Sequence, residues 1–178
     1  MNIDKSWTLF LDRDGVINHR LMEDYVKTWS EFQFLPGALD AIVYFSTLFG
    51  KIFVVTNQQG IAKGLMSEVD LQNIHQEMLN KINNAGGRID KIYYCPHSRY
   101  DYCNCRKPRI GMALQAQKDF PDIDFNKSIM AGDTPSDIEF GKNAGMKKVF
   151  ISQEQHVPPY SDWHVKSLID FANNISKM

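Results

Sequence analysis

The sequence of 178 residues predicts an α/β protein in which a parallel sheet lies between two layers of helices. Short apolar runs alternate with amphipathic stretches along the chain, and this order is typical of βαβ units. The apolar runs are hydrophobic without alternation, as expected for parallel strands that are buried on both faces. We therefore expect a three-layer, Rossmann-like single domain that comprises residues 1–178.

The first half of the chain predicts two strands and two helices. Pro36 is favoured at a first helical position, and Gly50 is a typical stop for the helix that Pro36 opens. Ser67 and Asp70 have the spacing of a capping box. The predicted elements are a strand over 7–11, a helix from Pro36 through Phe45, a strand over 52–55 and a helix that continues to Ile82.

The second half continues the alternation and brings the predicted strands to five. Gly145 marks the end of a helix. The predicted elements are strands over 89–94, 128–132 and 148–151, helices over 112–120 and 136–144, and a final amphipathic helix over about 163–175. Irregular stretches follow three of the strands, so we expect closure over a ligand to come from these loops, without a large cap domain.

Composition excludes several classes of function. The formal net charge is −1, so no general basic field points to a nucleic acid partner. No apolar run is long enough to cross a membrane, and the first five residues lack the layout of a secretory signal. We therefore expect a cytoplasmic protein, monomeric, with a small-molecule substrate.

Polar residues with catalytic potential follow four of the predicted strands. The carboxyl ends of parallel strands meet at one edge of a sheet, so these side chains should converge. An isolated Asp-x-Asp-Gly is also a common turn, and only the whole set indicates a site. Clustered carboxylates with cations suit Mg²⁺-dependent phosphoryl transfer, in which one aspartate attacks phosphorus and another moves protons. The residues are Asp12, Asp14, Thr56, Asn57, Arg106, Lys107, Asp133 and Asp137.

These residues resemble, in chain order, the four motifs of the haloacid dehalogenase-like phosphatases. The motifs are Asp12-x-Asp14-Gly15, Thr56, Lys107 and Gly132-Asp133-x-x-x-Asp137, and they span nearly the whole chain. The resemblance implies that Asp12 is the nucleophile and that Asp14 is the general acid and base.

The same resemblance implies the phosphate and metal ligands. Thr56 and Lys107 correspond to the hydroxyl and the cation that hold the phosphate. Asp133, the Asp12 carboxylate and the backbone carbonyl of Asp14 correspond to the Mg²⁺ ligands. Asp137 is expected behind these direct ligands or bound to the metal through water.

The cysteines predict a second metal site. All three cysteines and one histidine fall within a loop at about residues 95–105. Three thiolates and an imidazole suit a structural Zn²⁺ site, which would staple the loop and position the basic residues that follow it. The alternative is three reduced cysteines and a surface histidine. The predicted ligands are Cys95, His97, Cys103 and Cys105.

The predicted zinc loop indicates which group within this family the chain resembles. Cys-x-His followed by Cys-x-Cys-Arg-Lys-Pro looks like the group that contains the D-glycero-D-manno-heptose 1,7-bisphosphate phosphatases and the histidinol-phosphate phosphatases. The segments 10–18 and 56–64 are closer to the heptose branch, whereas the five-residue gap between His97 and Cys103 resembles the histidinol branch. The leading interpretation is removal of the C7 phosphate of heptose 1,7-bisphosphate, in heptose supply for surface glycans. The alternatives are a histidinol-phosphate phosphatase, a nucleic-acid end-processing phosphatase and a non-catalytic zinc-stapled interaction module.

Positions around the motifs predict further substrate contacts. Arg106 could hold a second phosphate, since a guanidinium binds phosphate in a bidentate manner. Asn57 could bond a sugar hydroxyl. Lys63 is either a ligand of a distal phosphate or a solvated surface lysine. Tyr25 and Trp29 either line the pocket or pack in the core, and packing is the favoured interpretation.

Overall fold

A computed structural model describes residues 2–22 and 24–177 of the chain. The strands in these residues are β1 (Thr8–Leu11), β2 (Lys51–Asn57), β3 (Lys91–Cys95), β4 (Ser128–Gly132), β5 (Lys147–Ile151) and β6 (Trp163–Val165). All of their pairings are parallel, and the strand order is β3-β2-β1-β4-β5-β6. The predicted α/β class and parallel sheet are confirmed.

Helices cover both faces of the sheet. They are α1 (Ala38–Leu48), α2 (Glu68–Asn84), α3 (Gly111–Asp119), α4 (Pro135–Ala144) and α5 (Leu168–Asn174), with short 3₁₀ helices at Trp29–Glu31, Phe125–Lys127 and Ile175–Lys177. Among the described residues, no helix combines the length and the apolar character that a membrane crossing requires.

The pleat of β1 explains the three layers. Leu9 and Leu11 belong to a buried cluster with α1, α2 and α5, whereas Phe10 belongs to a second buried cluster with α3 and α4. Successive side chains of a strand point to opposite faces, so an unbroken apolar run fills both cores. The predicted three-layer arrangement is confirmed.

Helix α1 begins two residues after the predicted start at Pro36. Gly37 adopts a left-handed conformation with φ of 73° and precedes the helix. A Cβ at this glycine would lie 2.8 Å from Ile169, so the position requires a glycine for both reasons. The residue before a helix has a non-helical conformation, and the helix therefore starts at Ala38.

The predicted final helix over 163–175 is wrong in its first part. Residues Trp163–Val165 form a sixth strand that pairs in parallel with β5. Helix α5 begins only after Ser167, whose side chain accepts a hydrogen bond from the backbone N–H of Asp170. Over so short a length, the apolar spacing of this segment fits both the helical and the strand period. The segment forms a strand because it can pair with the free edge of β5.

The centre of the sheet creates the crevice in which a ligand can bind. Strand β1 lies between β2 and β4. From β2 the chain continues outward to β3 at one side of the sheet, and from β4 it continues outward to β5 at the other side. In open parallel sheets, ligands bind at the carboxyl ends of the strands where this reversal occurs. The residues that follow β1 and β4 are Asp12 and Asp133.

Candidate active site

The first strand delivers Asp12 to the middle of this edge. The backbone N–H of Asp12 donates to the carbonyl of Ala131 at 3.0 Å, which continues the ladder between β1 and β4. The turn that follows needs Gly15, which has φ of 90°. A Cβ there would lie 2.0 Å from a carboxylate oxygen of Asp133, so the glycine allows that carboxylate to approach Asp14 and Asp12.

Lys107 joins two buried carboxylates. Its Nζ lies 2.9 Å from Oδ1 of Asp12 and 2.5 Å from Oδ1 of Asp137. Burial acts to lower the pKa of Lys107, but the two carboxylates outweigh it and hold the pKa above its ordinary value. Burial also raises the pKa of Asp12 to about 6, against the opposing charge of Lys107. The ammonium therefore stays charged and orients Asp12.

Both carboxylate oxygens of Asp137 accept hydrogen bonds from neighbouring groups. Its second oxygen accepts hydrogen bonds from the backbone N–H of Thr134 at 3.0 Å and from the Thr134 hydroxyl at 2.7 Å. The bond from the backbone N–H is one half of the capping box of α4, which begins at Pro135. Oxygens of Asp12, Asp133 and Asp137 lie within 4.8 Å of one another. The Asp137 oxygens already accept hydrogen bonds from Lys107 and Thr134, so they are less available to a metal ion.

Three neighbours orient Asp14. One of its oxygens accepts from Arg13 and from Asn18, each at 2.9 Å, and the other accepts from Gln58 at 2.9 Å. Burial acts to raise the pKa of Asp14, but the Arg13 charge and these hydrogen bonds together hold the pKa below its ordinary value. Asp14 is therefore an ionised carboxylate that is held in a fixed orientation.

Arg13 is a buried charge that no motif in the sequence indicates. Its side chain is fully buried, and Nη1 lies 3.1 Å from Nε2 of His75. Burial and the Arg13 charge lower the pKa of His75 to about 3, so the ring is neutral and Nε2 accepts the hydrogen bond. His75 is thus a packing histidine that supports the arginine behind Asp14.

Gln58 links the first and second strands. Its Nε2 donates to Asp14 and, at 2.8 Å, to Oγ1 of Thr56. Because the Thr56 oxygen accepts this bond, its own O–H remains available to donate to an anion. Asn57 lies on the cavity, and its amide pairs with the backbone N–H and carbonyl of Lys107 at 3.0 and 3.2 Å. The asparagine therefore holds the Lys107 backbone.

The predicted catalytic and phosphate-binding residues share one cavity of about 330 Å³. Lys63 also lines this cavity, with its Nζ 5.1 Å from the centre of the Tyr25 ring. Trp29 instead stacks on Phe32 with ring centres 4.9 Å apart, so it packs as the favoured interpretation predicts, whereas Tyr25 lines the cavity. The predicted site residues on the cavity are Asp12, Asp14, Thr56, Asn57, Arg106, Lys107 and Asp137, and the predicted Asp133 lines an adjacent hollow.

Three oxygens beside the cavity converge on the guanidinium of Arg20. Its Nη2 lies 2.9 Å from Oδ1 of Asp133, 2.9 Å from the carbonyl oxygen of Asp14 and 3.6 Å from Oδ2 of Asp12. Burial raises the pKa of Asp133 to about 8, and the charge of Asp12 adds to this effect. Such a set of hard oxygens can hold Mg²⁺. No pattern in the sequence indicates Arg20, which lies in an irregular stretch without a motif.

The four predicted zinc ligands also come together. Sγ of Cys95 lies 2.7 Å from Sγ of Cys105 and 3.6 Å from Sγ of Cys103, and Nδ1 of His97 lies 3.2 Å from Sγ of Cys105. All four donor atoms lie within 4.8 Å of one another. Burial raises the pKa of the Cys95 thiol, so a cation is needed to hold the thiolate. Three sulfurs and one nitrogen are a donor set that fits tetrahedral Zn²⁺.

Comparisons with known proteins agree with this geometry. The HAD-hydrolase-like family model, in which HAD stands for haloacid dehalogenase, matches residues 104–166. D-glycero-α-D-manno-heptose-1,7-bisphosphate 7-phosphatase from Mycobacterium bovis is 45% identical over 77% of this chain and 72% of that protein. D-glycero-β-D-manno-heptose-1,7-bisphosphate 7-phosphatase from Rhodopseudomonas palustris is 40% identical over 77% of this chain and 78% of its own length.

A solved structure extends the match to the whole fold. The D,D-heptose 1,7-bisphosphate phosphatase from B. bronchiseptica, crystallised with magnesium and phosphate, superposes with a TM-score of 0.88. It is 30% identical, and the match covers 96% of this chain and 98% of that chain. Sequence and fold agree, and this chain belongs to the haloacid dehalogenase-like family of phosphatases.

Proposed function

We propose that this protein removes the 7-phosphate from a D-glycero-D-manno-heptose 1,7-bisphosphate with the help of Mg²⁺. The observation that carries the proposal is the convergence of Asp12, Asp14, Thr56 and Lys107 on one cavity. Relatives named for both anomers of this substrate support the sugar, and they leave the choice of anomer to experiment.

Asp12, Asp133 and the carbonyl of Asp14 would hold the Mg²⁺ ion. Their three oxygens all lie around one cationic nitrogen of Arg20, so they form a set that accepts a positive charge. Family members use Mg²⁺, and the relative from B. bronchiseptica was crystallised with it. When bound, the ion supplies charge neutralisation for the carboxylates and the phosphate.

Asp12 acts as the nucleophile in two steps. One carboxylate oxygen of Asp12 attacks phosphorus while the bond from phosphorus to the C7 oxygen breaks. Asp14 gives its proton to that oxygen, and the sugar leaves as an alcohol. Water then attacks the aspartyl phosphate, Asp14 takes a proton from the water, and the bond between phosphorus and Asp12 breaks to release inorganic phosphate.

Asp14 has to change its protonation state within each cycle. In the free protein, the Arg13 charge and the hydrogen bonds from Asn18 and Gln58 favour the carboxylate, which is the form needed to activate water. A bound phosphate dianion nearby raises the proton affinity of Asp14, which is the change needed before Asp14 can protonate the leaving group.

Thr56 and Lys107 hold the phosphate that is transferred. The free O–H of Thr56 can donate to one phosphate oxygen, and the Lys107 ammonium neutralises charge beside Asp12. Their positions depend on Gln58 and Asn57, which fix the Thr56 oxygen and the Lys107 backbone.

Lys63 and Arg106 are the ligands for the second phosphate of the substrate. Both line the cavity that contains Asp12, and neither forms an ion pair with a carboxylate in the described residues. Lys63 lies against the Tyr25 ring, which keeps its ammonium group at the wall of the cavity. A bisphosphate offers a negative charge to each end of such a site.

The cysteine and histidine cluster binds structural Zn²⁺. Cys105 immediately precedes Arg106 and Lys107, so a metal at this position limits the movement of both cations. Mg²⁺ prefers oxygen ligands and Zn²⁺ prefers thiolates, so the two ions sort between the sites by ligand type.

A substrate panel tests the proposed sugar. We expect kcat/KM for the α or β heptose 1,7-bisphosphate to exceed that for histidinol phosphate by roughly 100-fold or more, because the cavity supplies cations for two phosphates. Rates of phosphate release in the presence of Mg²⁺ would measure this ratio. A larger kcat/KM for histidinol phosphate would reverse the assignment.

The variant Lys63→Gln tests whether Lys63 binds the second phosphate, and heptose 7-phosphate, which lacks that phosphate, is the control substrate. It should raise KM for the heptose bisphosphate by about tenfold, the usual size of one charge-assisted hydrogen bond. The same variant should leave KM for heptose 7-phosphate nearly unchanged. An equal effect on both substrates would assign Lys63 to the transferred phosphate.

The variant Asp12→Asn tests the nucleophile. Asn has nearly the same shape but is a poor nucleophile, so turnover should fall by several orders of magnitude while the circular dichroism spectrum is retained. Asp4→Asn removes a carboxylate that precedes β1, at the opposite edge of the sheet, and should leave turnover near that of the wild type. Retained turnover in Asp12→Asn would refute the assignment.

The variant Cys103→Ala tests the zinc staple. Metal analysis should show about one zinc ion per wild-type chain and little in the variant. The thermal midpoint should fall by roughly 5–10 °C, since each lost kcal/mol costs about 2–4 °C in a chain of this size. Tyr102→Ala, whose side chain is fully exposed in the same loop, should retain zinc and stability. Wild-type protein without zinc would contradict the proposal.

The pH dependence of Mg²⁺ binding tests the oxygen site. Without the divalent ion, the folded-state pKa values of about 8 for Asp133 and about 6 for Asp12 lie above the ordinary value of 3.8. The folded protein then holds extra protons between about pH 4 and pH 8, so its stability falls as pH rises through this window. Mg²⁺ displaces these protons, and its stabilising effect should therefore be larger at pH 8 than at pH 5.5. Thermal midpoints against MgCl₂ concentration would measure the effect, and an effect equal at both pH values, or retained in Asp133→Asn, would contradict this site.

A further inference from the structure

We propose that Arg20 acts as an internal cation that competes with Mg²⁺ for the same three oxygens. This inference rests on the proposed function, because it takes Asp12, Asp14 and Asp133 as the ligands of the metal. It adds a residue from an irregular loop that carries none of the motifs.

The contacts of Arg20 overlap the proposed ligand set completely. Its Nη2 donates to the carbonyl oxygen of Asp14 and to Oδ1 of Asp133, each at 2.9 Å, and lies 3.6 Å from Oδ2 of Asp12. One nitrogen therefore contacts one carbonyl and two carboxylates. These are the ligand types that a hard divalent ion requires.

A guanidinium and a metal ion cannot share these oxygens. Mg²⁺ binds oxygen at about 2.0–2.1 Å, and the Nη2 atom already lies in the space between the three oxygens. Metal binding therefore requires the Arg20 guanidinium to leave. The coupling is reciprocal, so whatever Arg20 contributes to the metal-free protein has to be overcome by the incoming ion.

Arg20 has room to leave, unlike the neighbouring Arg13. The Arg20 side chain is 37% exposed, and it borders both the 330 Å³ cavity and an adjacent hollow of about 700 Å³. Arg13 is fully buried between Asp14 and His75. The site thus contains one arginine that is fixed and one that can move aside.

In the metal-free protein, Arg20 places a positive charge beside two acidic side chains that lie close together. Asp12 and Asp133 have carboxylate oxygens close together, and Lys107 contacts only Asp12 of this pair. Arg20 contacts both carboxylates. It therefore keeps the ligands near their binding positions before the metal arrives, at the expense of some metal affinity.

The variant Arg20→Gln tests this competition by a measurement that needs no turnover. Isothermal titration with MgCl₂, on protein that retains its zinc, should give a Kd about tenfold lower for the variant than for the wild type, within the usual range of coupling between ligands. The thermal midpoint of the variant without Mg²⁺ should be lower than that of the wild type. Circular dichroism and zinc content would establish that the variant is folded.

The variant Lys63→Gln distinguishes the loss of a direct contact with the three oxygens from the loss of a positive charge in the cavity. It removes a positive charge from the same cavity wall without a bond to the three oxygens, so its Mg²⁺ affinity should stay near that of the wild type. Equal tightening in both variants, or weaker binding in Arg20→Gln, would overturn the competition while leaving the metal site intact. A wild type that binds no Mg²⁺, or an Asp133→Asn variant that binds as well as the wild type, would overturn the site itself and the inference with it.

Discussion

The buried ammonium group of Lys107 is the interaction on which the rest of the site depends. It contacts a carboxylate at the end of β1 and another in the first turn of α4, and its charge is shared between them. Removing one partner of such a buried group typically costs about 3–5 kcal/mol, because the remaining charge has no compensation. The same group therefore holds two elements together and orients Asp12, the proposed nucleophile. The cluster of three cysteines and one histidine and the Asn57 amide add two further contacts around the segment that carries Lys107.

Charge balance explains why so many ionisable groups fit into one small crevice. Asp14 is compensated by Arg13, Asp12 and Asp137 by Lys107, and Asp133 by Arg20. Three cations thus serve four aspartates at the carboxyl edge, and Lys107 and Arg20 reach their partners from distant parts of the chain. Burial makes every one of these pairs stronger than it would be at the surface, and it makes every unpaired member more costly.

The sequence predicts the sheet, the grouping of the three cysteines with His97 and the convergence of the candidate site residues, because these follow from strand periodicity and from fixed spacings. The same reasoning places the start of α1 at Pro36 and overlooks β6. Those features depend on Gly37 packing against Ile169 and on the free edge of β5, which are contacts between distant parts of the chain. Arg20, Gln58 and the pair of Arg13 with His75 were missed for a related reason. Single polar residues in loops or on helices carry no pattern until the fold brings them together.

The position of β1 in the sheet also has a consequence for how the protein folds. Leu11 pairs with both Val54 and Ala131, so the two halves of the crevice come from opposite ends of the chain. Closing so long a loop is entropically slow, and parallel pairing offers few local contacts to guide it. During synthesis, the strand that precedes Asp133 emerges long after Asp12 has left the ribosome. Catalytic competence is therefore acquired late, and activity reports that nearly the whole chain has reached its native topology.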